Sequence, residues 1–252
     1  MRSRLVTLVG GRALIGRDLT LLAEAVLVVE DHRIAAVGRG AEVRVPEGAE
    51  VVDVAGFTLI PGFIDSHVHI GFYEPREVLA GGVTTVRDLG WPPDEIFELV
   101  RRSETDLDMP RVLAAGAMLT APGGYPTRAA WAPPGTGLEI ASPDEARAAV
   151  DDLAQRGSAV IKIALYPEVG PTLDLETVSA IVAAAHDRGL KVTGHISGLA
   201  ELDKAIAAGV DELAHMLMSA ERIPDDTLAD MVAAGMVVVP TLSIRTGSDR
   251  RL

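Results

Sequence analysis

Apolar positions along the first 57 residues fall into short runs of β type: Arg4–Val9, Ala25–Glu30, Arg33–Val37 and Val51–Val54. Gly10-Gly11, Asp31, Gly38 and Pro46-Glu47-Gly48 punctuate them. Runs of this kind bounded by turn residues predict a meander of short antiparallel strands. From about Phe57 the rhythm changes, and short apolar runs alternate with stretches of helical period. That alternation predicts repeated βα units with parallel strands. The strand candidates are Leu59–Ile64 leading into Asp65–Ile70, Val83–Asp88, Val112–Leu119, Ala159–Leu165, Val192–Ile196, Glu212–Met216 and Val237–Leu242.

The helices between them carry start and stop signals. Ser142-Pro143-Asp144-Glu145 combines an N-cap, a proline at the first helical position and a capping-box glutamate, for a helix that stops near Gly157. Asp174 caps Leu175–Arg188, which Gly189 ends; Asp203–Ala208 ends at Gly209, and Asp225–Ala234 at Gly235. Seven βα units predict an α/β fold of the (β/α)8 TIM-barrel type rather than an open doubly wound sheet. An open sheet places a glycine-rich phosphate turn after its first strand, where this chain has His67 and His69. The longest irregular stretch, Ala121–Ile140, follows a strand, which in a barrel puts it on the face where chemistry occurs.

Composition narrows the partners. The 252 residues suit one large domain, or one with a small lobe. Aromatics are only 4%, so Val, Leu, Ile and Ala must fill the core. The absence of cysteine excludes a disulfide scaffold, a thiolate metal site and a Cys nucleophile. A net charge of −13 argues against nucleic acid and anionic membranes as partners. No run is long enough for a membrane span, and polar residues follow the N-terminal apolar run too soon for a signal peptide, so a cytoplasmic location is expected.

Four of the six histidines, His67, His69, His195 and His215, stand at or near strand ends. Residues two apart on a strand share a face, so His67, His69 and Asp65 point together, on a stretch apolar enough to be a buried strand. Such a pair either binds one cation or is two partly buried rings bonded to backbone; the further histidines on adjacent strands favour a shared metal site. Lys162 lies mid-strand among apolar neighbours, and burial lowers the pKa of such an amine. It either pairs with a carboxylate or, neutral, captures carbon dioxide as a carbamate that bridges two cations. His32, in a hairpin turn, and His186, near a helix C-terminus, read as structural.

Pro61-Gly62-Phe63-Ile64-Asp65-Ser66-His67-Val68-His69, Gly82-Val83-Thr84-Thr85-Val86-Arg87-Asp88, Ile161-Lys162-Ile163, Gly194-His195 and Gly209-Val210-Asp211-Glu212-Leu213-Ala214-His215 together resemble the amidohydrolase superfamily, in its imidazolonepropionase-like and Xaa-Pro dipeptidase-like branch. The resemblance implies a small, incomplete N-terminal β-sandwich lobe over residues 1–57 and a metal-dependent hydrolase barrel over 58–252. It implies that His67 and His69 bind the more buried of two divalent cations, zinc by default, and that His195 and His215 bind the second. Carboxylated Lys162 would bridge them, and a hydroxide between the metals would cleave a C–N amide bond of a dipeptide, lactam or cyclic amide. Lys162, His195 and His215 would thus serve catalysis as well. Tyr125, Arg128 and Tyr166 are candidates to contact a small-molecule substrate.

One departure stands out. The superfamily's eighth strand carries a proton-shuttling aspartate, whereas Asp249 lies only seven residues past Leu242, too close for the intervening helix. A homo-oligomer or a complementing C-terminal polypeptide is therefore expected to close the barrel, because open strand edges are unstable. The competing readings are a non-catalytic truncated barrel acting as a binding partner, and a decarboxylase or isomerase on the same scaffold.

Overall fold

The computed structural model describes residues 4–220 and 222–241. The chain divides into two units, Met1–Gly62 and Phe63–Leu252. In the first unit, strands β1 (Leu5–Ile15), β2 (Thr20–Glu30) and β3 (Arg33–Arg39) form the expected antiparallel meander. Asp31 and His32 make the β2–β3 turn, and His32 is exposed there. Two expectations are corrected. The first strands are long, because Gly10-Gly11 does not end β1 but sits in it as a bulge, with Gly10 at φ +84°. The sheet is also mixed: β4 (Glu50–Asp53) and β5 (Thr58–Leu59) both pair with β1 in parallel. A parallel neighbour needs a crossover, which residues 40–49 supply. Among the described residues this unit holds a single five-stranded sheet.

In the second unit the strands are β6 (Phe63–Val68), β7 (Val83–Asp88), β8 (Arg111–Ala114), β9 (Met118–Thr120), β10 (Gly137–Glu139), β11 (Ile161–Leu165), β12 (Val192–Ile196), β13 (Glu212–Leu213) and β14 (Val237–Val238). Every pair is parallel, in the orders β6-β7-β8 and β10-β9-β11-β12-β13-β14. Ala159 N donates to Ala114 O at 2.8 Å, which ties β8 to the start of the β11 segment. The helices are α1 (Pro75–Ala80), α2 (Pro93–Arg102), α3 (Pro143–Gln155), α4 (Leu175–Asp187), α5 (Leu199–Ala208) and α6 (Asp225–Ala233). This is an α/β fold with parallel sheets.

Several boundaries differ from the sequence reading, each for a local reason. The single strand expected at Leu59–Ile64 is divided: Leu59 belongs to β5, and β6 begins only after Pro61, which cannot donate to a ladder. β6 is not buried either. Phe63 and Ile64 are 58% and 69% exposed, because β6 pairs only with β7 among the described residues. Val112–Leu119 is broken between β8 and β9 at Ala115-Gly116-Ala117, where Gly116 adopts φ +79°. β13 stops at Leu213 and β14 at Val238; Leu242 and Asp249 lie outside the described residues. α5 starts at Leu199, four residues before Asp203, on an extended Gly198. Ser142 caps α3 by accepting from Glu145 N at 3.2 Å, and Asp174 caps α4 by accepting from Thr177 N at 2.8 Å.

The period-2 alternation of β11 separates two environments. Ile161, Ile163 and Leu165 belong to the apolar core with Val178, Ile181 and Leu202 of the helices, whereas Lys162 and Ala164 face the other way. At the far end of the strands, Asp211 accepts from His186 Nε2 at 2.8 Å, Lys191 Nζ at 2.6 Å and Val192 N at 2.8 Å. Burial raises the Asp211 pKa, but these three donors outweigh it and hold the carboxyl below its usual range. Asp211→Asn leaves one acceptor oxygen for three donors and removes the charge, so unfolding in urea at pH 7 is expected to show a loss of about 1–3 kcal/mol. An unchanged midpoint would reduce this junction to a surface contact. Among the described residues no helix is long and apolar enough to cross a membrane.

Candidate active site

The strand order gathers side chains that are up to 148 positions apart. His67 stands near the end of β6 and His69 just beyond it; Lys162 is in β11, His195 in β12, and His215 follows β13. Ring centroids lie 5.6 Å apart for His67–His69, 5.9 Å for His67–His215 and 4.3 Å for His195–His215. The in-register pairing of Ala164 with His195 sets that imidazole beside the Lys162 face of β11. His195 and His215 are 6% and 3% exposed, and His67 and His69 are only half-buried. The His67–His69 rings are the more exposed pair, on a strand that pairs only with β7 among the described residues.

Backbone carbonyls fix the tautomers. His67 Nδ1 contacts Ala214 O at 2.6 Å, His69 Nδ1 contacts Gly90 O at 2.9 Å and His215 Nδ1 contacts Met216 O at 3.1 Å. A carbonyl only accepts, so each Nδ1 carries the proton and each Nε2 keeps its lone pair. His195 Nδ1 then donates to His215 Nε2 at 2.7 Å, which leaves His195 Nε2 buried without a partner. Both readings of the His67–His69 pair thus meet in one geometry: backbone bonds on one nitrogen, an open lone pair on the other. Burial, and secondarily the charge on Lys162, lowers His67 to about 2; burial brings His69 and His215 to about 4 and His195 well below the imidazole range. All four rings are neutral at pH 7.

Lys162 is wholly buried and its Nζ has no hydrogen-bond partner. The carboxylate whose charge acts on it, Glu212, makes its hydrogen bonds to other residues. Glu212 receives Arg87 through both guanidinium nitrogens, at 2.5 and 3.1 Å, and Thr193 Oγ1 at 2.7 Å. Burial brings the Lys162 ammonium down to about 7, with Glu212 acting to raise it and Arg87 to lower it.

Aromatic rings wall the cluster. Trp131 lies 4.8 Å from His69, and Tyr125 and Tyr166 lie 4.7 and 4.9 Å from His195. Trp131 Nε1 donates to Tyr125 Oη at 3.1 Å, and burial pushes the Tyr125 phenol up. Phe72 packs on both tryptophans. Tyr125 and Tyr166 therefore stand at the site, while Arg128 is exposed on the same loop and bonds to none of the histidines. Asp65 is also exposed, its carboxylate accepting from His67 N.

Sequence reasoning missed the supporting residues. Asp88 is fully buried, and burial raises it to about 6. It closes β7, and a carboxylate ending an apolar strand was the signal available for it. Nothing in the local sequence announces the Arg87–Glu212 pair, whose members are 125 positions apart.

Among the described residues, no three His, Cys, Asp or Glu side chains form a cation cage by themselves. The donors come instead as two histidine pairs, with Lys162 charge-coupled to all four rings. Neutral imidazoles with open lone pairs and an orphaned buried amine fit a divalent ion of borderline softness.

Comparison with known proteins adds the following similarities. Residues 58–250 match the model of the amidohydrolase family. An uncharacterized protein of Mycobacterium tuberculosis is 29% identical over 213 residues, covering 77% of this chain and 53% of the relative. Imidazolonepropionase of Micrococcus luteus is 34% identical over 119 residues, 42% of this chain and 29% of that enzyme. The crystal structure of a putative prolidase from Bifidobacterium longum superposes with a TM-score of 0.77 at 25% identity, over 95% of this chain and 61% of that one. The chain spans about half the length of the mycobacterial relative.

Proposed function

Since this chain belongs to the amidohydrolase family, we propose that it hydrolyses a C–N amide bond of a small molecule with the help of two divalent cations. The observation that carries this reading is Lys162, a buried amine with no partner that faces four neutral histidines. His67 and His69 would hold one cation and His195 and His215 the other, with Lys162 between them as a carbamate. In that step the amine nitrogen bonds the carbon of CO2, and one amine proton leaves to solvent. Zinc suits the donor set best. Bound there, the ions would lower the pKa of water and polarise the scissile carbonyl.

The chain's own residues supply the rest. Gly90 O and Ala214 O hold the His69 and His67 rings in the tautomer that presents Nε2. His195 would offer a cation its unpartnered Nε2, and His215 its Nε2 once that atom is released from the His195 Nδ1 bond. Tyr125, Tyr166 and Trp131 give the acyl or amine part of a substrate a flat apolar wall and keep water from the histidines. A closed barrel, a sandwich in the N-terminal unit, and further polypeptide over the exposed edge of β6 belong to the same proposal. The parallel order within each of the two sheets supports the barrel, and the exposure of Phe63 and Ile64 supports the covering polypeptide.

Elemental analysis tests the metal reading. After incubation with zinc and bicarbonate and removal of loosely held metal, about two ions per chain are expected. Amine release from a panel of dipeptides, lactams and cyclic amides is expected from the same sample. A folded sample that retains essentially no metal would sink the binuclear reading, and two bound ions without amine release would sink the hydrolase reading.

A further inference from the structure

Asp88 is joined to this site through backbone N–H groups. It ends β7 fully buried, and each carboxylate oxygen accepts one backbone N–H from a different segment. Oδ2 takes Ile70 N at 2.7 Å, on the residue that follows His69; Oδ1 takes Gly90 N at 3.0 Å. The carbonyl of that same Gly90 receives His69 Nδ1 at 2.9 Å. The chain of bonds is closed: it leaves the His69 backbone through Ile70, crosses Asp88, passes through Gly90 and returns to the His69 ring.

Gly90 has no freedom to compensate. It adopts φ +152°, and a Cβ there would meet Met118 Cε at 2.3 Å, so the backbone is wedged against β9. On its far side Trp91 N bonds Gly116 O at 3.1 Å. Asp88 is the remaining anchor on the side that faces His69. We infer that Asp88 is a positioning residue that sets the tautomer and orientation of His69 through the carbonyl of Gly90. The inference rests on the reading of His69 as a cation ligand only for its functional consequence.

The test is Asp88→Asn. An amide has one acceptor oxygen, and its NH2 would face a second N–H donor, so one of the two anchors is lost. Two-bond ¹H–¹⁵N correlation of the imidazoles in the unloaded protein is expected to show the Nδ1–H tautomer for His69 in the wild type and a mixture in the variant. His67 and His215 should not change. Zinc competition against a chelator should show the affinity of the His67–His69 pair falling about tenfold or more, with the His195–His215 pair unaltered. In a His69→Ala background the Asp88→Asn change should add nothing. Equal losses at both pairs, a persistent loss in the His69→Ala background, or an unchanged His69 tautomer would overturn the inference. If Asp88→Asn does not fold, Asp88→Glu keeps both acceptors one methylene further out, and the same confined change at His69 is expected. A wild type that binds no zinc would defeat the hydrolase reading, and the tautomer measurement would still decide the role of Asp88.

Discussion

Lys162→Met is expected to abolish hydrolysis, by about 10³-fold or more, and at the same time to stabilise the fold. The two effects have one cause. Lys162 is wholly buried with no partner for its Nζ, a cost to folding that a methionine of similar length does not carry. The pH dependence gives the argument a sign. Burial brings the Lys162 ammonium from 10.5 down to about 7 in the folded chain. Between these values the unfolded chain holds a proton that the folded one does not, so folding becomes more favourable as pH rises through the window. Below pH 7 both forms are protonated and the folded state carries the full penalty. The advantage of Lys162→Met should therefore be largest at pH 7 and below, on the order of 1–4 kcal/mol, and shrink towards pH 10. Denaturation of both proteins at pH 7 and pH 9.5, in chelator-treated and bicarbonate-free buffer, measures it. A variant less stable than wild type at pH 7 would mean that the amine contributes to the fold, and the case for a site held ready for a carbamate would weaken.

What the sequence revealed, and what it hid, follows from the range of the interactions involved. Period and punctuation are local, so the βα rhythm, the Ser142 and Asp174 caps and the His-bearing strand ends could be read directly. Lys162 could be read because a lysine breaks an apolar run on a five-residue strand. The parallel return of β4 onto β1 could not, because a crossover leaves no mark on the strand it reaches. Gly10-Gly11 misled, since a bulge and a turn use the same residue. The relative burial of the histidine pairs depends on which strand is an edge, a property of sheet order that no segment encodes. The Arg87–Glu212 pair and the Asp88 anchors join residues from different βα units, so they emerge only once the strands are assembled.

The same neutral cluster makes the protein acid-labile, and steeply so. His67, His69, His195 and His215 are held below their ordinary pKa of 6.5 in the folded chain, chiefly by burial, to values of about 4 or less where a value is defined. As pH falls below 6.5 the unfolded chain takes up these protons and the folded chain does not, so each histidine withdraws stability as the solution is acidified. Asp88 works in the opposite direction. Burial raises it from 3.8 to about 6, so on acidification the folded chain takes up a proton before the unfolded one does, which offsets one of the four. A net uptake of about three protons on unfolding corresponds to a slope of roughly 4 kcal/mol per pH unit. Against an ordinary stability of about 5–15 kcal/mol, the chelator-treated protein should lose its cooperative thermal transition between about pH 6 and pH 4. Replacing His195 with asparagine should flatten the slope by roughly one proton's worth. Thermal melts at half-unit pH steps would show it, and a transition temperature flat from pH 7 to pH 4.5 would mean that the histidines charge in place, in a site more open to water than their burial allows.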